Sequence, residues 1–246
     1  LASYLTRRAV CGFTTKGYNR VFMRLLEVVT NAQEKPEVAL REALLKLGGN
    51  SQAWPSDEEF SQNWSNRAVY KELRPAKVCA VLRALEYAAR GSFQGSLEVP
   101  EQSKLTVEHV LPQTWESDEH YSIADMKEEH RLARNHLVQT FGNLTLLTGP
   151  LNSSVSNGPF LDDLREGKTL EGKKAGIAKS ALVMNTYFGK PALQRWDDAA
   201  IGVRSKAMLA AALLVWPRPV QHVAMSKMIS DALTGRGQAS TTGAGA

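Results

Sequence analysis

Leu105-Thr-Val-Glu-His-Val-Leu-Pro112, then Phe141-Gly-Asn-Leu-Thr-Leu-Leu147 and Leu151-Asn-Ser-Ser154, are the segments whose reading decides the fold. Leu105-Thr106-Val107 is short and β-branched, which predicts a strand, and Pro112 stops it. Phe141-Gly142 predicts a turn, Asn143 to Leu147 a second strand, and Pro150 to Asn157 a short helix.

Outward from this centre the chain reads as helical. Val21, Phe22, Leu25, Leu26 and Val29 recur at helical spacing. A second helix is expected after Pro36, stopping at Gly48-Gly49. Ser56-Asp-Glu-Glu59 is a capping-box pattern ahead of Phe60. Pro75 to Arg90 carries an apolar stripe of Val78, Val81, Leu82, Leu85 and Ala88. Gly91 to Ser103, rich in Gly, Ser and Gln, reads as a connection. Beyond it, helices are expected over 122–138, 173–187, 192–214 and 220–233. The fold class is therefore mainly α, a helical body around two short strands and a helix.

The 246 residues are enough to bury a sizeable core, as one large domain or two small ones. The division expected is 1–91 as a helical subdomain, 92–217 as the core with its flanking helices, and 218–246 as a last helix and a tail. From Gly235 the tail has too few large apolar residues to offset its ordering entropy, so disorder is expected there. The chain starts at Leu1 rather than Met and reads as a fragment of a longer protein. Two cysteines, Cys11 and Cys79, offer no Cys-x-x-Cys pair, which rules out the usual cysteine-type structural zinc. A reducing, cytoplasmic setting is the simplest expectation. The longest apolar run, Ala207 to Trp216, is too short to span a bilayer, so no membrane partner is expected. A net charge of +5 is compatible with a polyanionic partner without demanding one. Two local basic clusters say more: Arg165, Lys168, Lys173, Lys174 and Lys179, and Arg7, Arg8, Lys16, Arg20 and Arg24.

Glu108, His109 and the downstream asparagines suit phosphodiester cleavage. That reaction needs a base for water, and neutral imidazole is matched to neutral pH. It also needs a hard cation, which carboxylate or amide oxygens hold, and a group that orients the imidazole. Neighbours on a strand point to opposite faces. If Pro112 distorts the strand end, Glu108 turns to the cation while His109 faces the attacking water.

Each candidate also has a plain structural role. Asn143 follows Gly142 and is as readily a turn residue as a catalytic one. Asn152 could simply cap the helix that follows, and Asn157 before Gly158-Pro159 is more readily a turn residue than a functional one, though it faces the same region. His120, His130 and His136 surround the insertion between the strands, and His130 and His136 read as solvated; His222 has no partner in view, and Trp115, Tyr187, Trp196 and Trp216 read as packing residues. The basic run from Arg165 is either a solvated face or a set of phosphate contacts.

Glu-His-Val-Leu-Pro, Gly-Asn-Leu-Thr-Leu-Leu and Leu-Asn-Ser together resemble the ββα-metal motif of HNH (His-Me finger) nucleases. More narrowly, they resemble the HNH domain at the C-terminal end of GmrSD-type modification-dependent restriction enzymes. Phosphorothioation-dependent DNA defence proteins share that architecture. Tyr4-Leu-Thr-Arg-Arg8 with Thr15-Lys-Gly-Tyr-Asn19, and Trp196 with Ile201 and Arg204, extend the resemblance over residues 1 to 217. It implies an HNH endonuclease, a phosphodiester hydrolase acting on DNA as a restriction or anti-phage effector, with nicking the expected outcome of a single site. His109 would be the general base and Asn152 a metal ligand. Asn143 would fix the loop bearing the histidine. Glu108 stands where relatives carry an aspartate ligand, and being one methylene longer it reaches the metal directly or through water. Without His or Cys at the helix position, the ion would be Mg²⁺ or Mn²⁺. Arg165, Lys168, Lys173, Lys174 and Lys179 would contact DNA. The family implies an N-terminal nucleotide-hydrolysing sensor domain as partner. The alternative is an inactive DNA-binding or sensor-docking module. RNA as substrate stays open, since the site chemistry does not read the sugar.

Overall fold

Ser56 and Glu59 close the capping box that their spacing predicts. The Ser56 hydroxyl accepts from the Glu59 N–H at 3.1 Å, and the Ser56 N–H donates to the Glu59 carboxylate at 2.8 Å. Such a reciprocal cap stabilises a helix start by about 1 kcal/mol. The computed structural model in which this is seen describes residues 1–33, 35–49, 51–90, 99–155, 158–165 and 167–219. The expected helix from Val220, the tail from Gly235, His222, Asn157 and most of the connection after Gly91 lie outside the described residues.

In chain order the helices are α1 (Ala2–Val10), α2 (Tyr18–Asn31), α3 (Pro36–Leu45), α4 (Asp57–Asn66), α5 (Val69–Glu72) and α6 (Pro75–Arg90). The strands β1 (Leu105–His109) and β2 (Leu144–Thr148) flank α7 (Glu128–Leu137), and α8 (Gly149–Val155) follows β2 directly. A hairpin of β3 (Asp163–Arg165) and β4 (Lys168–Leu170) precedes α9 (Lys173–Ala178) and α10 (Asp198–Val215). The protein is mainly α, as expected. Among the described residues no helix is long and apolar enough to cross a membrane.

Packing groups these elements differently from the division at residues 91 and 217. One unit comprises Leu1–Thr15 and Pro55–Pro217, and the other, of the described residues, Lys16–Trp54 with Arg218 and Pro219. In the second unit α2 and α3 pack on each other around buried Val21, Leu25 and Leu44. In the first, helices from before and after residue 91 share one core: Phe60, Trp64 and Leu82 lie in the same cluster as Leu105, Leu144 and Leu146.

The β1–β2 ladder is antiparallel, with Leu105 opposite Thr148, Val107 opposite Leu146, Glu108 opposite Thr145 and His109 opposite Leu144. Directly opposed residues share a face. Leu105, Val107, Leu144 and Leu146 thus face the core containing α6. Leu147 faces a second core with Val110, Leu111, Trp115, Ile177 and Trp196.

The turn Phe141–Asn143 ties these layers together. Phe141 stacks on Trp64 at 4.1 Å between ring centroids. Gly142 comes so close to α10 that a Cβ there would lie 2.4 Å from the Ile201 carbonyl oxygen. Arg204 of α10, 2% exposed, donates to the Gly142 and Leu144 carbonyls at 2.9 and 2.7 Å. Burial pushes the Arg204 guanidinium down to about 10, which leaves it charged at neutral pH.

Three expected helices are shorter than their periodicity suggests. In 122–138 only Glu128–Leu137 is helical, because Asp125 takes a left-handed φ of 56° ahead of it. In 173–187 the helix stops at Ala178, and a 3₁₀ segment, Val183–Gly189, follows. Buried Glu86 accepts the Val183 and Met184 N–H groups at 2.8 and 2.9 Å and so begins that segment afresh. The 192–214 helix starts at Asp198, capped by the Asp197 carboxylate on the Ala200 N–H.

The basic cluster near the start divides: Lys16, Arg20 and Arg24 are exposed, whereas Arg7 and Arg8 are structural. Arg7 and Arg8 are fully buried. Arg7 pairs with Asp57 at 2.6 Å and donates to the Trp216 carbonyl, and Arg8 lies over the rings of Tyr4 and Phe13.

Gly142→Ala is expected to lower stability by about 3 kcal/mol or more, since backbone rather than a flexible side chain must give way. Gly202→Ala on α10, where an added Cβ meets nothing within 4 Å, is expected to raise it by about 0.5–1 kcal/mol. Urea unfolding of the two variants should move in opposite directions. Burial, assisted by Glu59, pushes the Cys11 thiol from 9.0 up to about 12. Above pH 9.0 the unfolded chain ionises this thiol first, so stability should fall as pH rises through that window, less steeply in Cys11→Ala. Unfolding midpoints measured across that range for both proteins check the sign.

Candidate active site

Both Glu108 and His109 lie within β1 and pair with β2, so strand alternation holds to the end and no distortion by Pro112 intervenes. Their side chains leave on opposite faces. His109 is 6% exposed and packs edge-on against the Tyr70 ring at 4.4 Å between centroids. Its Nε2 is buried without a hydrogen-bond partner, as is Oε1 of Gln139. Burial pushes the imidazole down from 6.5 to about 4; the nearby Gln139 side chain, too poorly placed for a full hydrogen bond, opposes this as a weak polar contact, and the Lys173 charge adds to it. The ring is therefore neutral at pH 7, the protonation state a base requires.

Glu108 meets a lysine. Lys173 Nζ donates to Glu108 Oε1 at 2.6 Å and to the His109 carbonyl at 2.8 Å. The lysine side chain is 1% exposed and that of Glu108 15%. Desolvation lowers the Lys173 ammonium, while Glu108 and Asp118 support it. Its location follows from the backbone: the Lys173 N–H donates to the Pro159 carbonyl at 2.8 Å, and that of Gly172 to Asp162 at 2.8 Å. A Cβ on Gly172 would stand 2.4 Å from the Leu161 carbonyl carbon, so only glycine allows this approach.

Asn143 is fully buried and its amide is saturated. Oδ1 accepts from the Leu111 N–H at 2.8 Å and from Trp196 Nε1 at 2.9 Å. Nδ2 donates to the Leu111 and Val138 carbonyls at 2.9 and 3.0 Å. With all four bonds made, this amide ties the loop after His109 to the turn before β2.

Asn152 lies on α8, which rests against β1, β2 and α9. Its Oδ1 is buried and has no partner. Among the described residues nothing donates to that oxygen, whose amide chemistry is of the kind a hard cation takes. The carboxylate of Glu108 has the same hard-oxygen chemistry. Among the described residues, no hydrogen bond links the side chains of Glu108, His109 and Asn152, and no group of three His, Cys, Asp or Glu could hold a metal.

The remaining candidates scatter. Lys168 is exposed and stands opposite Arg165 in the β3–β4 hairpin. Lys179 is exposed and pairs with Glu171 at 2.5 Å. Lys174 is half-buried and donates to the Leu193 carbonyl. Lys173 is not on a solvated face at all. His130 is exposed, while His136 bonds the Asn66 carbonyl. Trp115 and Trp196 are core residues, as expected. Tyr70, Gln139 and the Glu108 contact of Lys173 were not foreseen. Gln139 alone left a trace in the sequence, as a polar residue inside the run Leu137-Val-Gln-Thr-Phe141.

Fold and site define a mainly helical domain whose central ladder carries a buried neutral imidazole on one face and a carboxylate–ammonium pair on the other. A family model for the C-terminal domain of GmrSD restriction endonucleases matches residues 54–211, more than half of the chain, and the protein belongs to that family. The match begins later than the resemblance extending from residue 1 implies. Comparison with curated proteins and with solved structures finds no match.

Asn143→Asp tests the loop clamp. The aspartate would set an acceptor against the Leu111 and Val138 carbonyls and bury a charge, so stability should drop by about 3 kcal/mol or more. Urea unfolding that left the variant within about 0.5 kcal/mol of wild type would count against the clamp.

Proposed function

We propose that the protein is a metal-dependent DNA endonuclease of the HNH type, with β1, β2 and α8 forming its ββα-metal motif, and that it serves as the effector of a restriction or anti-phage system. The observation that carries this reading is the buried His109, kept neutral by its burial, within the segment that matches the restriction-endonuclease family. Asn152 and Glu108 would hold the cation, Mg²⁺ or Mn²⁺. Asn152 offers an orphaned carbonyl oxygen and Glu108 its carboxylate, which fit a hard ion better than zinc. Such an ion, when bound, stabilises charge on the phosphate and on the leaving 3′ oxygen.

The chain's own residues supply the rest. Once bound DNA opens the packing that covers it in the free chain, His109 Nε2 would take a proton from water, which attacks phosphorus in line, leaving a 5′-phosphate and a 3′-hydroxyl. Packing against Tyr70 and the Asn143-held loop restrict the imidazole before substrate arrives. Lys168 and Arg165 on the hairpin, with Lys174 and Lys179 beyond it, are the cations that would meet the DNA backbone. One such site cuts one strand, so the isolated domain nicks. A nucleotide-hydrolysing sensor domain in the same full-length protein would supply the control.

Incubation with supercoiled plasmid and Mg²⁺ or Mn²⁺ should give open-circular product, abolished by EDTA. His109→Ala should cut about a hundredfold more slowly, or less still, while remaining folded. Undiminished cutting by that variant would remove His109 as the base, and cutting indifferent to EDTA would remove the metal. A gel shift without cleavage under every metal would favour an inactive DNA-binding module instead.

A further inference from the structure

Lys173 has a place in the site that a DNA-contacting residue would not have. Its ammonium lies 2.6 Å from the one carboxylate in the candidate cation set and 2.8 Å from the backbone oxygen of the next residue. With its side chain 1% exposed, it is shut off from any phosphate outside. We propose that Lys173 is a built-in counter-ion for Glu108 which a divalent cation must displace, so that this lysine sets the cation affinity of the site. The inference rests on the nuclease reading above.

Three observations support it. An apolar residue at 173 would leave a partly buried carboxylate without a partner, which is costly, so the lysine stabilises the cation-free protein. The same charge opposes loading. A cation that engages Glu108 must share its carboxylate with a fixed ammonium, and repulsion between like charges grows as water is excluded. Finally, the side chain need not leave. Lys173 can yield Oε1 and keep the His109 carbonyl as its acceptor, because Gly172 and the bond to Pro159 hold its backbone. Since it touches neither substrate nor reacting atoms, Lys173 is a positioning residue.

Mn²⁺ binding to the whole chain, followed by the electron paramagnetic resonance of the free ion, tests this without DNA. Lys173→Met should bind Mn²⁺ about tenfold more tightly or better than wild type. Lys173→Arg, which keeps the charge, should bind like wild type. Glu108→Gln should weaken binding and erase the gain of Lys173→Met in the double variant. If Lys173→Met binds no more tightly than wild type while Asn152→Ala still abolishes binding, the counter-ion is overturned and the nuclease site stands. If wild type binds no Mn²⁺ that Asn152→Ala or Glu108→Gln weakens, the one-metal reading falls and the counter-ion with it. Should Lys173→Met not fold, reductive methylation of the wild type read by mass spectrometry decides. Saturating Mg²⁺ should speed labelling of Lys173 relative to exposed Lys168, and an unchanged ratio overturns the proposal.

Discussion

The buried amide of Asn143 is the constraint on which the site depends. Its four hydrogen bonds join the loop after His109, the end of α7 and Trp196 to the start of β2. A side-chain amide does this where a hydroxyl or a carboxylate cannot, because two donors and two acceptor directions are needed at one point. The neighbouring residues of the turn serve the same junction by other means. Phe141 stacks on Trp64 of α4, and Gly142 admits the backbone of α10. Three consecutive residues thus bind an early helix, a late helix and the histidine loop to one strand. This is why helices from the first hundred residues cannot be separated from the ladder as an independent core.

Buried charge is the second organising device. Arg204 offers its guanidinium to two carbonyls of the turn, a task that suits a planar fork of donors. Glu86 is neutralised by Arg90 at 2.6 Å and spends its remaining capacity on two backbone N–H groups. Lys173 belongs to this set by burial, yet its partner Glu108 lies on the strand that carries His109. Such pairs add little net stability over apolar packing of the same shape, but breaking one partner is expensive.

Much of this was legible in the sequence where the signal was local. The capping box at Ser56, the extent of Pro75–Arg90, the two strands and the turn between α7 and β2 all follow from residues close in the chain. Helix ends set by distant groups were not legible. Glu86 interrupts the helix expected over 173–187 from nearly a hundred residues away, and no periodicity carries that information. The basic runs misled for a related reason. Arg7, Arg8 and Lys173 sit among other cations in sequence, but each finds a buried acceptor only after folding. For the candidate site, residue types singled out Glu108 and His109, and the resemblance to HNH nucleases added Asn143 and Asn152. Folding distinguishes two of them: the amide of Asn143 is saturated, while among the described residues nothing bonds Asn152 Oδ1.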